Sequence, residues 1–239
     1  LLYTDGQLLV VDKPAGLLTI PGRGPEPGPD AHHLLEEQIR GKLWVVHRLD
    51  RNTSGALCFA RTAELHRHLS MAFEHGRVSK RYLALVRGVP APPSGVIDRA
   101  LVPGRRGKMR PSAPGEEGKA SRTQYNVLER FGRFAWIELS PETGRQHQIR
   151  VHLAAIGHPL AVDETYKSDL QLTTADLGGE GDDVVLARTP LHCSRLELPL
   201  PSGNKLTVEA PLPTDLERTL QLLRGNEVTD PRGRPGGGD

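Results

Sequence analysis

The apolar residues of this chain come in short runs, most of them closed by glycine, proline or asparagine, and few continue with helical spacing. Short apolar runs bounded by turn residues read as strands. Residues 8–16, Leu-Leu-Val-Val-Asp-Lys-Pro-Ala-Gly, predict a buried strand that runs into a turn. Further strands are expected over 43–46, 56–60, 79–88, 96–102, 121–130 and 134–139, the last two joined as a hairpin through Gly132. A second hairpin is expected over 192–198 and 205–210, around Ser202-Gly203-Asn204. Helical signals are fewer. Asp30 can cap a helix carrying Leu34, Leu35 and Ile39, and Thr62 one carrying Leu65, Leu69 and Ala72 that stops at Gly76. A strong helix is expected over 144–156 and a last one over 214–224. Strands that meet in hairpins, rather than alternating with helices, predict an α+β fold with a mixed, mainly antiparallel sheet flanked by helices. Residues 21–29, 103–118 and 163–183 read as loops, and the Gly/Pro-rich tail over 225–239 as disordered.

The 239 residues suit one large domain or one domain with an appendage. No apolar stretch approaches the roughly 20 residues of a membrane helix, which argues against a helical span. Two cysteines, Cys58 and Cys193, exclude a disulfide framework and a cysteine-built zinc site, and fit a reduced, cytoplasmic setting. The formal net charge of +2 conceals an asymmetry. Between Arg40 and Arg110 stand 15 Lys and Arg against 4 Asp and Glu, a net of +11, and the remainder carries −9. Such a basic stretch predicts a surface for a polyanion. Most of its cations are arginines, which grip phosphate bidentately.

Four segments carry candidate chemistry. In His-Arg-Leu-Asp-Arg-Asn-Thr-Ser-Gly (47–55), Asp50 sits in a polar turn between Arg48 and Arg51. Taken alone it is an ordinary turn aspartate. The neighbouring guanidiniums favour its ionised form, which makes it a candidate nucleophile or base. In Ser-Pro-Glu-Thr-Gly-Arg-Gln-His-Gln-Ile-Arg (140–150), Thr143 and Gln146 have capping-box spacing, so Arg145 falls in the first helical turn. The helix dipole disfavours a cation there, and Arg145 needs an anion: a structural carboxylate, a phosphate or Asp50. His147, His152 and His158 follow, but His147 and His152 are five residues apart and do not share a helix face as a metal-ligand pair would. In Ser-Lys-Arg-Tyr-Leu-Ala (79–84), Tyr82 shares a strand face with Lys80 and Ala84, opposite Arg81. It is either a core-edge tyrosine or a stacking surface for a base. Gly-Arg-Arg-Gly-Lys-Met-Arg (104–110) is a basic loop suited to phosphate.

Taken in order, HRLD-x-x-TSG, then K-R-Y, then TGR-x-HQIR-x-H and GHP form a specific set. The opening LLVVDKPAGL and the later GKASRTQY belong with it. With these motifs the chain resembles the RluA family of RNA pseudouridine synthases, from about Leu8 to Val208. The resemblance implies the pseudouridine synthase catalytic fold, expected as a single domain over 1–224; the small RNA-binding domain that many members carry ahead of it is either lacking in this form or truncated. It implies isomerisation of a uridine in tRNA or ribosomal RNA, with no cofactor and no metal. It makes Asp50 the catalytic aspartate, Tyr82 the tyrosine that stacks on the base and is a candidate to take the carbon 5 proton, and Arg145 the arginine paired to the aspartate. Arg48 would fill the gap left by a flipped base. The remaining RNA contacts expected are Arg51, Lys80, Arg81, Arg105, Arg106, Lys108, Arg110 and His147. The family's G-D-x-x-Y-G reads Val-Asp-Glu-Thr-Tyr-Lys over 162–167, keeping Asp163 and Tyr166 but neither glycine. A monomer is the default. Two rivals stand beside this: an RNA-binding module of the same fold without catalysis, and a metal-dependent hydrolase, for which the histidines offer no convincing ligand set.

Overall fold

The computed structural model describes residues 1–22, 28–166 and 168–227. The strands are β1 (Tyr3–Thr4), β2 (Leu8–Lys13), β3 (Trp44–Val45), β4 (Ser54–Ala60), β5 (Ser79–Arg87), β6 (Ser94–Asp98), β7 (Leu101–Pro103), β8 (Met109–Pro111), β9 (Arg122–Phe131), β10 (Phe134–Pro141), β11 (Leu172–Thr173), β12 (Val184–Leu186), β13 (Leu191–Pro199) and β14 (Lys205–Glu209). The helices are α1 (Ala31–Ile39), α2 (Ala63–Glu74), α3 (Gln148–Ala155) and α4 (Thr214–Glu227). Among the described residues, ten strands make one sheet along the path β1-β2-β4-β13-β5-β10-β9-β6, with β14 beside β13 and β3 beside β4. Its strands pair antiparallel except β4 with β13. This is the mixed, mainly antiparallel sheet that the hairpins predict. No helix among the described residues is long and apolar enough to cross a membrane.

Strand alternation divides the core between the two faces. In β5 and β10, Tyr82, Ala84, Val86, Ala135, Ile137 and Leu139 join one apolar cluster. Leu85, Phe134 and Trp136 join the other, against Leu216, Leu220 and Leu223 of α4. Every residue of β4 is buried, as a central strand covered on both faces requires. Two caps are as the sequence indicates. Asp30 accepts from His33 N at 3.0 Å and Thr62 from Leu65 N at 3.2 Å.

Three local expectations are corrected. The strand expected over 96–102 breaks into β6 and β7, and β7 pairs with β8 rather than with the main sheet. The acidic loop over 163–183 contains β11 and a short 3-10 turn at Ala175–Leu177. The helix expected over 144–156 begins only at Gln148, because His147 adopts a left-handed conformation (φ 53°, ψ 20°) that cannot continue a helix backwards. The disordered tail expected from 225 is corrected at its start, since 225–227 continue α4, and 228–239 lie outside the described residues.

A lateral row crosses the sheet where the site lies. Lys13 pairs with Gly55, Gly55 with Cys193, Cys193 with Tyr82, and Tyr82 with Leu139. Gly55 is held at φ +111°, and a Cβ there would lie within 3 Å of the Cys193 backbone. Gly55→Ala is therefore expected to cost more than about 2 kcal/mol. Urea unfolding of the purified variant checks this, and a midpoint equal to the parent's would show that the strands can separate freely.

Candidate active site

Asp50 lies on the loop between β3 and β4, and that loop is fastened on both sides of it. On one side, the Thr19 hydroxyl donates to Leu49 O at 2.8 Å and accepts from Leu49 N at 3.1 Å. On the other, Gly16 N donates to Arg51 O at 2.8 Å and Arg51 Nε to Gly16 O at 3.0 Å. Buried Lys13 binds the same place, donating to the carbonyls of Pro14, Leu17 and Arg51 at 2.8, 2.8 and 3.2 Å. Burial lowers Lys13 to about 8, against the pull of Asp50. The strand-and-turn at 8–16 thus forms the bed on which the Asp50 loop rests.

The carboxylate faces α3. Arg150 Nη1 donates to Asp50 Oδ2 at 3.0 Å. The same guanidinium forks onto buried Asp163, with Nε to Oδ2 and Nη2 to Oδ1 both at 2.7 Å. Asp163 also accepts from the backbone N–H groups of Thr165 and Tyr166 at 2.9 and 3.3 Å. Burial by itself would lower the Arg150 pKa, but Asp163 and Asp50 outweigh it and raise it. The Tyr166 ring lies against the guanidinium, 5.1 Å from Cζ to the ring centre. Asp50 keeps 32% of its side chain exposed while Asp163 keeps 1%, so only Asp50 can meet a substrate.

Tyr82 is buried on the same row, directly across from buried Cys193 on β13. Burial first, then Cys193 and the Asp50 charge, push it well above the ordinary tyrosine value. It stays a phenol at neutral pH. His47 accepts from Cys58 N at 3.0 Å and stacks on Phe73 with ring centres 4.7 Å apart. Burial, helped by Lys80, lowers it to about 3, so it is neutral.

Several expected site residues stand elsewhere. Arg145 does not pair with Asp50; its Nε donates to Ala120 O at 3.2 Å, and Arg150 takes the place beside the carboxylate. The dipole argument fails because Arg145 precedes the helix. The side-chain oxygen of Gln148, not of Gln146, closes this turn, accepting from Arg145 N and the Thr143 hydroxyl at 3.0 and 2.7 Å. Lys80 is buried and donates to Thr143 O at 3.2 Å, which removes it from any phosphate surface. Arg81 lies on the face of β5 opposite Tyr82, 3.5 Å from Glu138. Arg110 is held bidentately by Glu116 at 2.7 Å. Arg48, Arg51, Arg105 and Lys108 are exposed, and the side chain of Arg106 lies outside the described residues. His147 is near the site, Nε2 3.9 Å from Asp50 Oδ2. His152 bonds Thr123 and Arg99, and His158 bonds Arg87, so these three histidines do not converge as metal ligands.

Sequence inspection passed over Arg150, Asp163 and Lys13 as functional residues. The available signal was a lone arginine between apolar Ile149 and Val151, because a buried cation needs a carboxylate.

This arrangement has relatives. The family described as RNA pseudouridylate synthase matches residues 7–155. Ribosomal large subunit pseudouridine synthase D of Nitrosomonas europaea is 40% identical over 232 residues, 94% of this chain, which spans 65% of that relative's length. Dual-specificity RNA pseudouridine synthase RluA of Salmonella typhi is 35% identical over 213 residues, 88% of this chain and 92% of the relative. Human RNA pseudouridylate synthase domain containing 4 superposes with a TM-score of 0.73 at 28% identity, covering 93% of this chain and 92% of that one.

The neutral His47 makes the loop acid-sensitive. Its folded value near 3 lies below the ordinary 6.5, so the unfolded chain binds the extra proton and stability falls as pH drops from about 6.5 toward 3. The expected slope is roughly 1 kcal/mol per pH unit from this group. His47→Gln should flatten it, and urea midpoints at pH 7 and pH 4.5 measure the difference.

Proposed function

Because the chain belongs to the RluA family of RNA pseudouridine synthases, we propose that it isomerises specific uridines of tRNA or ribosomal RNA, with Asp50 as the catalytic carboxylate. The observation that carries this is the ion pair between partly exposed Asp50 and an Arg150 already anchored on Asp163. The reaction exchanges two bonds: the ribose leaves the ring nitrogen of uracil, the base turns, carbon 5 bonds to the ribose and gives up its proton, and the ring nitrogen ends with a proton in place of the sugar. Nothing is oxidised or reduced. The work is to reach the base, hold it, and place a carboxylate at the breaking bond.

A uridine inside a stem is inaccessible until it flips out, at a cost of a few kcal/mol. Exposed Arg48, two residues before Asp50, is suited to fill the space it leaves. Tyr82, a phenol in an apolar row, is suited to stack on the uracil rather than to take its proton unaided. Asp50 is held by Arg150 in one orientation, so a carboxylate oxygen is presented without the entropy loss of freezing it during the reaction. Attack at the sugar and addition to the ring both use this oxygen.

The RNA surface we propose is Arg48, Arg51, Arg105 and Lys108, exposed residues of the basic segment that stand apart from the carboxylate-paired Arg81 and Arg110. Buried, reduced Cys58 and Cys193 support a cytoplasmic setting, and a monomer is the simplest form. The single catalytic domain we propose extends through α4 to Glu227, three residues past the expected end at 224. A non-catalytic RNA binder is the other outcome tested below.

In cells lacking the gene, pseudouridine mapping of total RNA should show one or more sites lost, restored by the parent chain but not by Asp50→Asn. Retained RNA binding with no product from any Asp50-containing chain would favour the binding module. Arg150→Lys cannot fork and should lower turnover about 100-fold, whereas Arg145→Lys should lower it less than about threefold. Equal losses would return the pairing role to Arg145. Filter binding across salt should give a steep fall in affinity, with the slope reduced by about 1 in Arg48→Ala and unchanged in Lys80→Met.

A further inference from the structure

The Tyr166 hydroxyl stands between the basic hairpin and the carboxylate. It accepts the backbone N–H of Met109 on β8 at 2.9 Å and lies 2.9 Å from Nδ1 of His147. Its own proton needs an acceptor, and among the described residues Nδ1 is the one at hand. Burial raises Tyr166 and lowers His147, so the pair is a phenol and a neutral imidazole. A neutral imidazole that accepts at Nδ1 carries its hydrogen on Nε2. That nitrogen is 3.9 Å from Asp50 Oδ2, the same oxygen that Arg150 holds.

The backbone at His147 is built for this placement rather than for starting a helix. The residues that cap α1 and α2, Asp30 and Thr62, are extended at φ −134° and −133°. His147 precedes α3 at φ 53° and makes no side-chain cap bond. A left-handed non-glycine residue carries a cost that its surroundings must support. Here it swings the ring from the helix end to Tyr166 and Asp50. The hairpin is tied to the same turn a second time, Lys108 Nζ donating to Thr165 O at 2.8 Å.

We propose that Tyr166 and His147 are positioning residues that link docking of the basic β7–β8 hairpin on RNA to a second N–H donor at Asp50. The proposal rests on the reading of Asp50 as the catalytic carboxylate. At 3.9 Å the Nε2–H does not yet bond the carboxylate. Phosphate that draws Arg105 and Lys108 inward moves Met109 with them, and Met109 moves the Tyr166 hydroxyl. A shift of about 1 Å brings Nε2–H into bonding range, as catalytic hydrogen bonds commonly tighten only in the complex. Asp50 then has two donors on Oδ2 only when RNA lies on the hairpin, which ties its final orientation to substrate binding.

Three measurements on the full chain test this. The first is ¹⁵N NMR of histidine-labelled protein without RNA, where His147 should carry its hydrogen on Nε2 and become a tautomer mixture in Tyr166→Phe. The second is turnover on an in vitro transcribed RNA that the parent modifies. Tyr166→Phe keeps the ring under Arg150 and should lower kcat about 10-fold with KM within about threefold. The third is a double-mutant cycle with His147→Asn, chosen because asparagine tolerates the left-handed backbone. Tyr166→Phe should cost nothing further in that background. A hydrogen on Nδ1, a kcat within twofold of the parent, or additive losses would overturn the relay. Asp50→Asn run in parallel keeps the two readings apart: product from that variant overturns the role of Asp50, while additive losses overturn the relay alone.

Discussion

A guanidinium with little access to water is tolerated only when its donors are committed, and Arg150 commits three of them to two carboxylates. The bond lengths rank the partners. Asp163 takes the fork at 2.7 Å and is fully enclosed, so it sets the plane of the guanidinium. Asp50 takes the remaining donor at 3.0 Å and stays partly open. The asymmetry separates anchoring from chemistry. Removing Asp163 would leave a buried cation half paired, at a cost of about 3–5 kcal/mol. Removing the carboxylate of Asp50 leaves the anchor intact, which is why its isosteric amide suits a test of chemistry rather than of folding.

A second buried cation supports the other side of the same loop. Among the described residues Lys13 faces no carboxylate at bonding distance and is satisfied by three backbone carbonyls, one of them from Arg51. Two stretches 38 residues apart in sequence are thereby held as one surface. With the Thr19 bonds to Leu49, the backbone around Asp50 has little freedom left. The carboxylate is placed by the main chain and oriented by Arg150, two constraints that act on different bonds.

The sheet supplies the rest through register. Tyr82 reaches the site because β13 joins β5 to β4, and a slip of one residue would turn it to the face that Arg81 occupies. The same alternation explains the loss of Lys80 from the expected RNA surface. Being two residues from Tyr82 places it on the inner face, as strand geometry requires once that face is the core. The outward face of β5 carries Arg81 and Leu85, and there α4 closes the second apolar cluster around Leu85.

What the sequence determined by itself is local or motif-borne. The hairpins, the caps at Asp30 and Thr62, the α+β class and the place of Asp50 on a polar loop between two strands follow from short-range spacing and from motifs whose order is specific. The left-handed backbone at His147 was not legible, because neither histidine nor its neighbours demand it; contacts with Tyr166 and the Gln148 turn decide it. Nor was the choice of Arg150 over Arg145. Both stand in one motif five residues apart, and linear spacing cannot say which guanidinium meets a carboxylate 100 residues away. Tertiary structure decided that through burial: the arginine on the inner face of α3 must find Asp163 and Asp50, while the one on the exposed turn donates to the Ala120 carbonyl.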